Sequence, residues 1–165
     1  MSFEMEKSAK KPKVSIIPAS INHAPYIFNI TREAFKQYIE EAKIPGSIDA
    51  LTESLEDIVK DINEKVVFIA EVDGVPSGSI RITVKSDNTA YISRFGTLYK
   101  YQSMGIGRAL MEEAIRFVMQ NGIQSISLHT AANSNLVGFY NQFGFTITEI
   151  TYDRGYPRAL MKREH

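Results

Sequence analysis

A short glycine-containing segment stands between a predicted strand and a predicted amphipathic helix. It reads Gln102-Ser103-Met104-Gly105-Ile106-Gly107-Arg108. The first turn of a helix presents backbone N–H groups without partners and the positive end of the helix dipole. Glycines let an anion approach that backbone closely, because no Cβ intervenes. The segment therefore predicts a phosphate or pyrophosphate site, unless its small residues only pack the helix start against the strand.

Two better-known phosphate loops do not fit this segment. A Walker A loop needs a lysine followed by serine or threonine after its last glycine, and Arg108-Ala109 stand there instead. A Rossmann fingerprint needs three glycines near the first strand of the chain, whereas this segment follows several strands. Neither a P-loop NTPase nor a Rossmann-type dinucleotide-binding protein is predicted.

Asn133 and Tyr140 form a second pattern, further along the chain. Asn133 is a plausible helix N-cap, since its side chain can accept hydrogen bonds from backbone N–H groups. Tyr140 follows seven residues later, about two helical turns on, and so shares its face. The tyrosine is either a core residue beside Phe139 and Phe143 or a proton donor to a leaving thiolate, because a phenol pKa of ~10 is close to that of a thiol.

Two helices are predicted near the start of the chain, after a short strand over 14–17 and well before the glycine-containing segment over 102–108. Asn22 is expected to cap the first helix, whose apolar positions recur at helical spacing up to residue 42. The second helix is expected to begin near Ser47 or Asp49 and to extend to residue 62 with one apolar side. These helices must lie on a sheet that the following residues supply.

The middle of the chain changes to strand periodicity. Residues 66–72 form a continuous β-branched run, and Asp73-Gly74 is a two-residue hairpin signal. Residues 79–84 alternate between apolar and polar side chains, which predicts a strand with one face in water. A further strand over 90–97 completes an antiparallel meander.

The rest of the chain predicts a strand–helix–strand unit. A loop over 99–107 leads into a helix that Asn121-Gly122 ends, and a strand over 125–129 follows. Such a crossover makes this strand a parallel neighbour of the last strand of the meander. The remaining predicted elements are a brief helix over 134–143 and strands over 145–152 and 158–162. The result is an α/β domain with a mixed sheet.

Composition narrows the classes of function. The 165 residues include no cysteine, which excludes disulfides, thiolate zinc sites and cysteine nucleophiles. Lysine plus arginine and aspartate plus glutamate number 19 each, so general nucleic-acid binding, which needs a basic surplus, is not expected. Residues 1–12 are expected to be a flexible tail without a signal-peptide core, followed by one domain over 13–165. No stretch approaches a membrane span, so a cytoplasmic protein is predicted.

The motifs and their order resemble the GNAT superfamily of acetyl-CoA-dependent N-acetyltransferases. The likeness rests on Gln102-x-x-Gly105-x-Gly107 after a strand, on Asn133 spaced seven residues before Tyr140, and on Gly144-Phe145. The order of elements over 13–163 is also similar to that family. The resemblance implies the GNAT-like acyl-CoA N-acyltransferase fold, an antiparallel meander plus a strand–helix–strand unit, with helices on both faces of the sheet.

The resemblance also implies a coenzyme site and a proton donor. The strand before the loop would bind the pantetheine arm, the loop N–H groups the pyrophosphate, and a wedge between two parallel strands would admit the thioester. A backbone N–H would polarise its carbonyl. Tyr140 would protonate the departing thiolate. The positions that match coenzyme-binding ones are Phe95, Gly96, Thr97, Gln102, Ser103, Met104, Gly105, Ile106, Gly107, Arg108, Asn133 and Tyr140. Acetyl-CoA is then the cosubstrate, and no metal is expected.

The sequence departs from the family pattern in two places. Tyr99 stands where relatives usually have proline, which we expect to leave coenzyme binding intact. No carboxylate lies on the strand over 91–98, where some relatives carry a glutamate base. Glu71 and His129 are spare candidates, although each is better explained as a residue at a strand end. A water chain could also deprotonate the amine, so no base is assigned.

Two features bear on the acceptor and oppose each other. The acidic helix face over 53–64 could attract a cationic amine, although such runs are usually solvated surfaces. Arginines in the acceptor cleft would instead suit a carboxylate-bearing substrate. The side chains that could point toward that cleft are Tyr38, Arg81, Arg94, Arg154 and Tyr156.

The leading interpretation is an N-acetyltransferase in which a small primary amine attacks acetyl-CoA directly, as a monomer or homodimer. Acetylation of a protein N-terminus or lysine is the nearest alternative. A non-catalytic module that senses acyl-CoA is the alternative from another class.

Overall fold

The computed structural model describes residues 11–164. The strands are β1 (Val14–Pro18), β2 (Val66–Val72), β3 (Val75–Val84), β4 (Thr89–Thr97), β5 (Ser125–Ala131), β6 (Thr146–Thr151) and β7 (Arg158–Glu164). The helices are α1 (Ala24–Ala42), α2 (Leu55–Glu64), α3 (Ile106–Gln120) and α4 (Ser134–Asn141). The predicted tail over 1–12 lies outside the described residues except for Lys11 and Pro12, which are exposed. The division into tail and domain therefore stays a prediction.

All seven strands form one mixed sheet in the order β1-β2-β3-β4-β5-β7-β6. The first four strands are antiparallel, β4 and β5 are parallel, and β7 lies antiparallel between β5 and β6. The predicted meander and the predicted parallel pair are thus confirmed. Asp73 and Gly74 both have positive φ, the conformation that a two-residue turn between twisted strands requires.

Helices cover both faces of the sheet, as the α/β prediction requires. On one face, Leu110 of α3 packs with Ile82 of β3 in the larger core. On the other face, Ile27 of α1 and Ile58 of α2 pack against Ile69 of β2. Within the described residues, no helix is both long and apolar enough to cross a membrane.

Both helices before the meander begin later than their sequence predicts. Asn22 is not an N-cap but part of a short 3₁₀ turn, and α1 begins at Ala24. The second helix begins at Leu55, not near Ser47 or Asp49. Its start is fixed by a reciprocal capping box, in which the Ser54 hydroxyl accepts from the Asp57 N–H and the Asp57 carboxylate accepts from the Ser54 N–H.

The prediction that one face of β3 is in water is wrong. Arg81, on that face, is fully buried because α1 and α2 cover it. Its guanidinium donates two hydrogen bonds to Glu53, at 2.6 and 2.8 Å, and one to Asp61 at 2.8 Å. A buried charge is tolerated only when it is paired and hydrogen-bonded in this way. The acidic side of α2 and the loop before it thus supply the counter-charge that β3 needs.

The Arg81 network gives a stability prediction. Arg81→Met keeps the aliphatic volume but leaves the buried Glu53 carboxylate without its main partner, which should lower the free energy of unfolding by about 3 kcal/mol or more. Urea unfolding measures this loss. Arg116→Met is the matched control, since Arg116 pairs with Glu113 at the surface of α3, and it should change stability by less than about 1 kcal/mol. Equal stabilities of the two variants would contradict the assigned role of Arg81.

Candidate active site

The parallel strands β4 and β5 separate shortly after they begin to pair. Thr89, Ala90 and Tyr91 pair with Ser125–Ser127, and no later residue of either strand pairs with the other. Both strands nevertheless continue, β4 to Thr97 and β5 to Ala131. The sheet therefore contains a wedge-shaped opening between two neighbouring strands.

A β-bulge lies in β4 where the opening begins. Ser93 pairs with Arg81 and Gly96 pairs with Ser79, so two residues of β4, Arg94 and Phe95, stand opposite one residue of β3. Arg94 has a φ of 50°, in the left-handed region that residues other than glycine rarely adopt. A bulge bends its strand and increases the local twist. This bend lies just beyond the last residue of β4 that pairs with β5.

Tyr38 of α1 replaces part of the lost pairing. Its hydroxyl oxygen accepts a hydrogen bond of 2.7 Å from the Ala131 N–H. The next N–H of the chain, that of Ala132, points the other way and donates to Pro157, so the Ala131 N–H faces the opening. Burial, and then the neighbouring Tyr156, raise the pKa of Tyr38 to about 12. The hydroxyl therefore stays neutral at physiological pH.

A cavity of about 580 Å³ occupies the opening, within the usual size range for small-molecule sites. Of the predicted coenzyme residues, those that line it are Phe95, Gly96, Thr97, Gln102, Gly105, Gly107, Arg108 and Tyr140. The sequence thus identified residues of three separate segments that the fold brings to one cavity.

Four predicted residues have side chains elsewhere. Ser103 and Met104 are exposed in the 3₁₀ turn before α3. The Ile106 side chain is buried in the core. Asn133 caps α4, since its side-chain oxygen accepts from the N–H groups of the next helical residues, at 2.9 and 3.4 Å. None of these four residues lines the cavity.

The start of α3 presents the backbone donors that the glycine segment predicts. The first intrahelical hydrogen bond of the helix runs from the Ala109 N–H to the Gly105 oxygen, so the N–H groups of the three residues between them have no acceptor within the helix. Gly105 needs to be glycine because its φ is 76°. A Cβ on Gly107 would meet the ring of Phe95 at 3.6 Å, an ordinary contact. Packing therefore does not require glycine at 107.

Tyr140 lies in an aromatic cluster on the wall of the cavity. Its ring centre is 5.3 Å from that of Phe139, 6.2 Å from that of Phe145 and 6.3 Å from that of Phe95. Burial, and then the nearby Tyr38, raise the pKa of Tyr140 above its ordinary value. The side chain is thus protonated at physiological pH, as a proton donor must be, but its pKa lies further from that of a thiol than the ordinary phenol value on which the sequence argument rests.

His129 is not the strand-terminal residue that the sequence predicts. It lies within β5, and its side chain lines the cavity on the face opposite α3. Its Nδ1 is 2.6 Å from the Tyr91 hydroxyl oxygen. Burial, and then the positive charges of Arg158 and Arg154, lower the pKa of His129 below 6.5. The imidazole is therefore neutral at physiological pH.

Tyr91 is a cavity residue that the sequence motifs did not single out, because they predict a parallel pair without its register. The observed register pairs Tyr91 with Ser127, which places it diagonally adjacent to His129. The other spare base, Glu71, lies on β2 between β1 and β3 and does not line the cavity.

Known proteins share this sequence pattern. The model of the acetyltransferase (GNAT) family matches residues 26–145. A protein of Bacillus subtilis (strain 168) that is named as an acetyltransferase is 28% identical over 98 residues, 59% of this chain. The matched part covers 65% of that relative, less than two thirds of its length.

Solved structures share the fold. PaiA N-acetyltransferase from Thermoplasma acidophilum, in complex with coenzyme A, has a TM-score of 0.80 at 21% identity over 93% of this chain and 99% of that chain. The ribosomal-protein-S18-alanine N-acetyltransferase from Escherichia coli has a TM-score of 0.75 at 19% identity over 92% of this chain and 94% of that chain. At these identities the likeness shows the fold.

The close approach of α1 to β4 gives a prediction about the cavity wall. A Cβ on Gly96 would lie 2.6 Å from the Cβ of Ala34, so Gly96→Ala must push α1 away from β4. We expect the free energy of unfolding to fall by about 1–3 kcal/mol in urea titrations. Gly138→Ala is the control, because its Cβ meets nothing within 4 Å and alanine favours the helix. A Gly96→Ala variant as stable as the parent would contradict this packing.

Proposed function

Because this chain belongs to the GNAT family of acetyltransferases, we propose that it transfers the acetyl group of acetyl-CoA directly to the primary amine of a small molecule. The observation that carries the proposal is the cavity between the parted strands, lined by the α3 start, Tyr140 and His129. It combines backbone anion donors, a protonated phenol and a neutral imidazole in one space. A cytoplasmic location, a monomer or homodimer and a site without metal stay predictions.

The coenzyme would lie along β4 and reach the start of α3. The backbone of Phe95, Gly96 and Thr97 has no partner strand on the side of the opening, so it can bind the amide groups of the pantetheine arm. The N–H groups at the start of α3 suit the pyrophosphate. Glycine at 107 supports this placement, since the chain accepts a residue of poor helix propensity there without a packing reason.

The reaction needs one bond formed, one broken and two protons handled. A neutral amine attacks the thioester carbonyl, and the C–N bond forms as the C–S bond breaks. The ammonium form of the amine first loses a proton to a base, and the departing thiolate accepts a proton from an acid. Tyr140 is the proposed acid, because it is protonated and lies on the cavity wall. A second proton leaves the nitrogen during the transfer and restores the acid.

His129 is the proposed base. The tautomer with hydrogen on Nδ1 donates to the Tyr91 oxygen, 2.6 Å away, and leaves the Nε2 lone pair available to an amine. Tyr91 is then a positioning residue that fixes the ring. The charged or titratable groups that influence His129 are Arg158, Arg154, Asp153 and Glu149, and the first two keep the imidazole neutral. No carboxylate on β4 competes for this role.

The loops at the acceptor side favour a small molecule over a polypeptide. Asp49, before α2, and Arg154, between β6 and β7, both line the cavity and approach each other to 3.9 Å. A Cβ on Gly155 would lie 3.9 Å from the ring of Pro45, so these two loops also meet. Two loops that approach each other beside the cavity leave less room there for an extended chain. Acetylation of peptides, assayed beside free amines, is the alternative that this argument opposes.

Replacing Tyr140 by phenylalanine tests the proposed acid. Tyr140→Phe keeps the ring contacts but removes the proton, so we expect CoA release with an amine to slow by about 10²-fold while acetyl-CoA affinity changes little. Stopped-flow turnover and calorimetric titration measure the two quantities. Tyr26→Phe, at an exposed position of α1, is the matched control and should behave like the parent. Equal turnover of all three proteins would remove Tyr140 from the mechanism, and absence of acetyl-CoA binding would reject the function itself.

The proposed base predicts an acid limb in the pH profile. Protonated His129 cannot accept a proton, so kcat/KM should fall about tenfold per pH unit below the His129 pKa, which lies below 6.5, and level off above it. His129→Gln should lower kcat/KM by about 10²-fold and abolish that limb. His23→Gln, outside the cavity, should keep the parent profile. A His129→Gln profile with the parent limb would assign the proton transfer to another group.

A further inference from the structure

Three carboxylates of the acidic face over 53–64 already have partners within the protein. Glu53 and Asp61 neutralise the buried Arg81, and Asp57 caps the helix. Glu53 also lies 3.3 Å from the Arg94 Nε. These three carboxylates thus bind groups of the protein itself, which removes them from the charge available to a cationic acceptor.

The acceptor side of the cavity is instead lined by three arginines. Arg94 is paired with Glu53, and Arg154 has only a long, solvent-exposed contact with Asp49. Within the part of the chain that the structure describes, no carboxylate forms an ion pair with Arg158. Glu41 and Asp49 are the carboxylates that line the same cavity. Among these three arginines, Arg158 is therefore the one without a carboxylate ion pair in the described part of the chain, and Asp153 is the nearby carboxylate whose pKa its charge helps to lower.

Arg158 stands next to the proposed base. It is the first residue of β7 and pairs with Ala131, two residues beyond His129 on β5. After burial, its positive charge is the largest influence on the pKa of Tyr91 and on the pKa of His129. Its side chain is half-buried and lines the cavity. An anion held by this guanidinium would thus lie close to the group that receives the proton of the amine.

We propose that the acceptor carries a carboxylate near its reacting amine, as an amino acid does, and that Arg158 binds this carboxylate. A guanidinium presents parallel N–H donors that match the two oxygens of a carboxylate, and a charge-assisted pair of this kind is stronger than a neutral one. Arg154, the second exposed cation of the cavity, lies on the loop that leads to β7 and adds positive potential. The inference rests on the proposed function, since it names the substrate class of the same site.

Binding of the carboxylate also assists the base. The positive charge of Arg158 lowers the pKa of His129, and a bound carboxylate offsets that charge. The imidazole then becomes a stronger proton acceptor in the ternary complex than in the free enzyme. Recognition of the acceptor and activation of its amine are therefore coupled through one arginine.

Matched pairs of acceptors test the inference. Each pair contains an amino acid and the amine that remains after its carboxylate is removed, for example phenylalanine and phenylethylamine, and spermidine is added as a cationic contrast. We expect kcat/KM for the amino acid to exceed that of its amine by about 10- to 100-fold. Arg158→Gln should reduce this ratio toward one, and Arg158→Lys should restore part of it. Arg116→Gln, on the surface of α3, is the control and should keep the parent ratio.

The pH profile distinguishes carboxylate binding by Arg158 from a purely structural role of this residue. A binding measurement tests the inference independently of the proposed function. In Arg158→Gln the acid limb of kcat/KM for the free enzyme should move to higher pH, because a positive charge beside His129 is lost. Calorimetry with N-acetylphenylalanine and CoA measures anion binding without turnover, and Arg158→Gln should weaken it at least tenfold. If Arg158→Gln loses this binding and the parent protein acetylates no amine, the proposed function is rejected and the carboxylate site is kept.

Three results would overturn the inference. The amine or spermidine could equal or exceed the amino acid in kcat/KM. Arg158→Gln could leave the ratio within each pair unchanged. N-acetylphenylalanine could bind the parent and Arg158→Gln equally, or neither. Each leaves acetyl transfer itself intact if CoA release still depends on an amine.

Discussion

The site depends on one constraint, which is that backbone polar groups in a parted sheet need partners. Two parallel strands that stop pairing after Tyr91 expose N–H and C=O groups inside the protein, where an unpaired group is costly. One of these groups has a partner within the protein, since the Ala131 N–H donates a hydrogen bond to the Tyr38 hydroxyl oxygen. The rest is available to a ligand that can hydrogen-bond like a strand. The bulge at Arg94 and Phe95 lies beside this gap, and helices cover the sheet on either face.

The two faces of the sheet are linked to the cavity by different means. On the α3 side the link is apolar, through the aromatic cluster around Tyr140. On the other side it is ionic, because Glu53 contacts both the buried Arg81 and the cavity-lining Arg94. The bulged residue is therefore tied to the interior charge of β3. One carboxylate therefore both neutralises the buried charge and contacts a side chain of the cavity wall.

Local patterns predicted most of the elements and many of the residues that line the cavity, whereas long-range pairing decided the rest. The Asp73-Gly74 turn and the glycine before α3 act through their own backbone angles, which residue type reveals. The burial of Arg81 could not be predicted from its alternating strand, because its partner Glu53 lies 28 residues away. The Tyr38 contact spans 93 residues. Nor could the sequence show which carboxylates of the acidic helix face pair with buried charges, since these pairs are long-range contacts.

The brevity of α4 affects how long the site stays assembled. The helix has eight residues, none of them fully buried, so Tyr140 is held mainly by its ring contacts and by the Asn133 cap. An element with so little buried surface opens at a lower free energy than the strands beneath it. We therefore expect α4, and with it the part of the cavity wall that contains Tyr140, to open locally more often than the sheet unfolds. Amide hydrogen exchange within this helix would then measure how often α4 opens and carries Tyr140 away from the cavity, not the global free energy of unfolding.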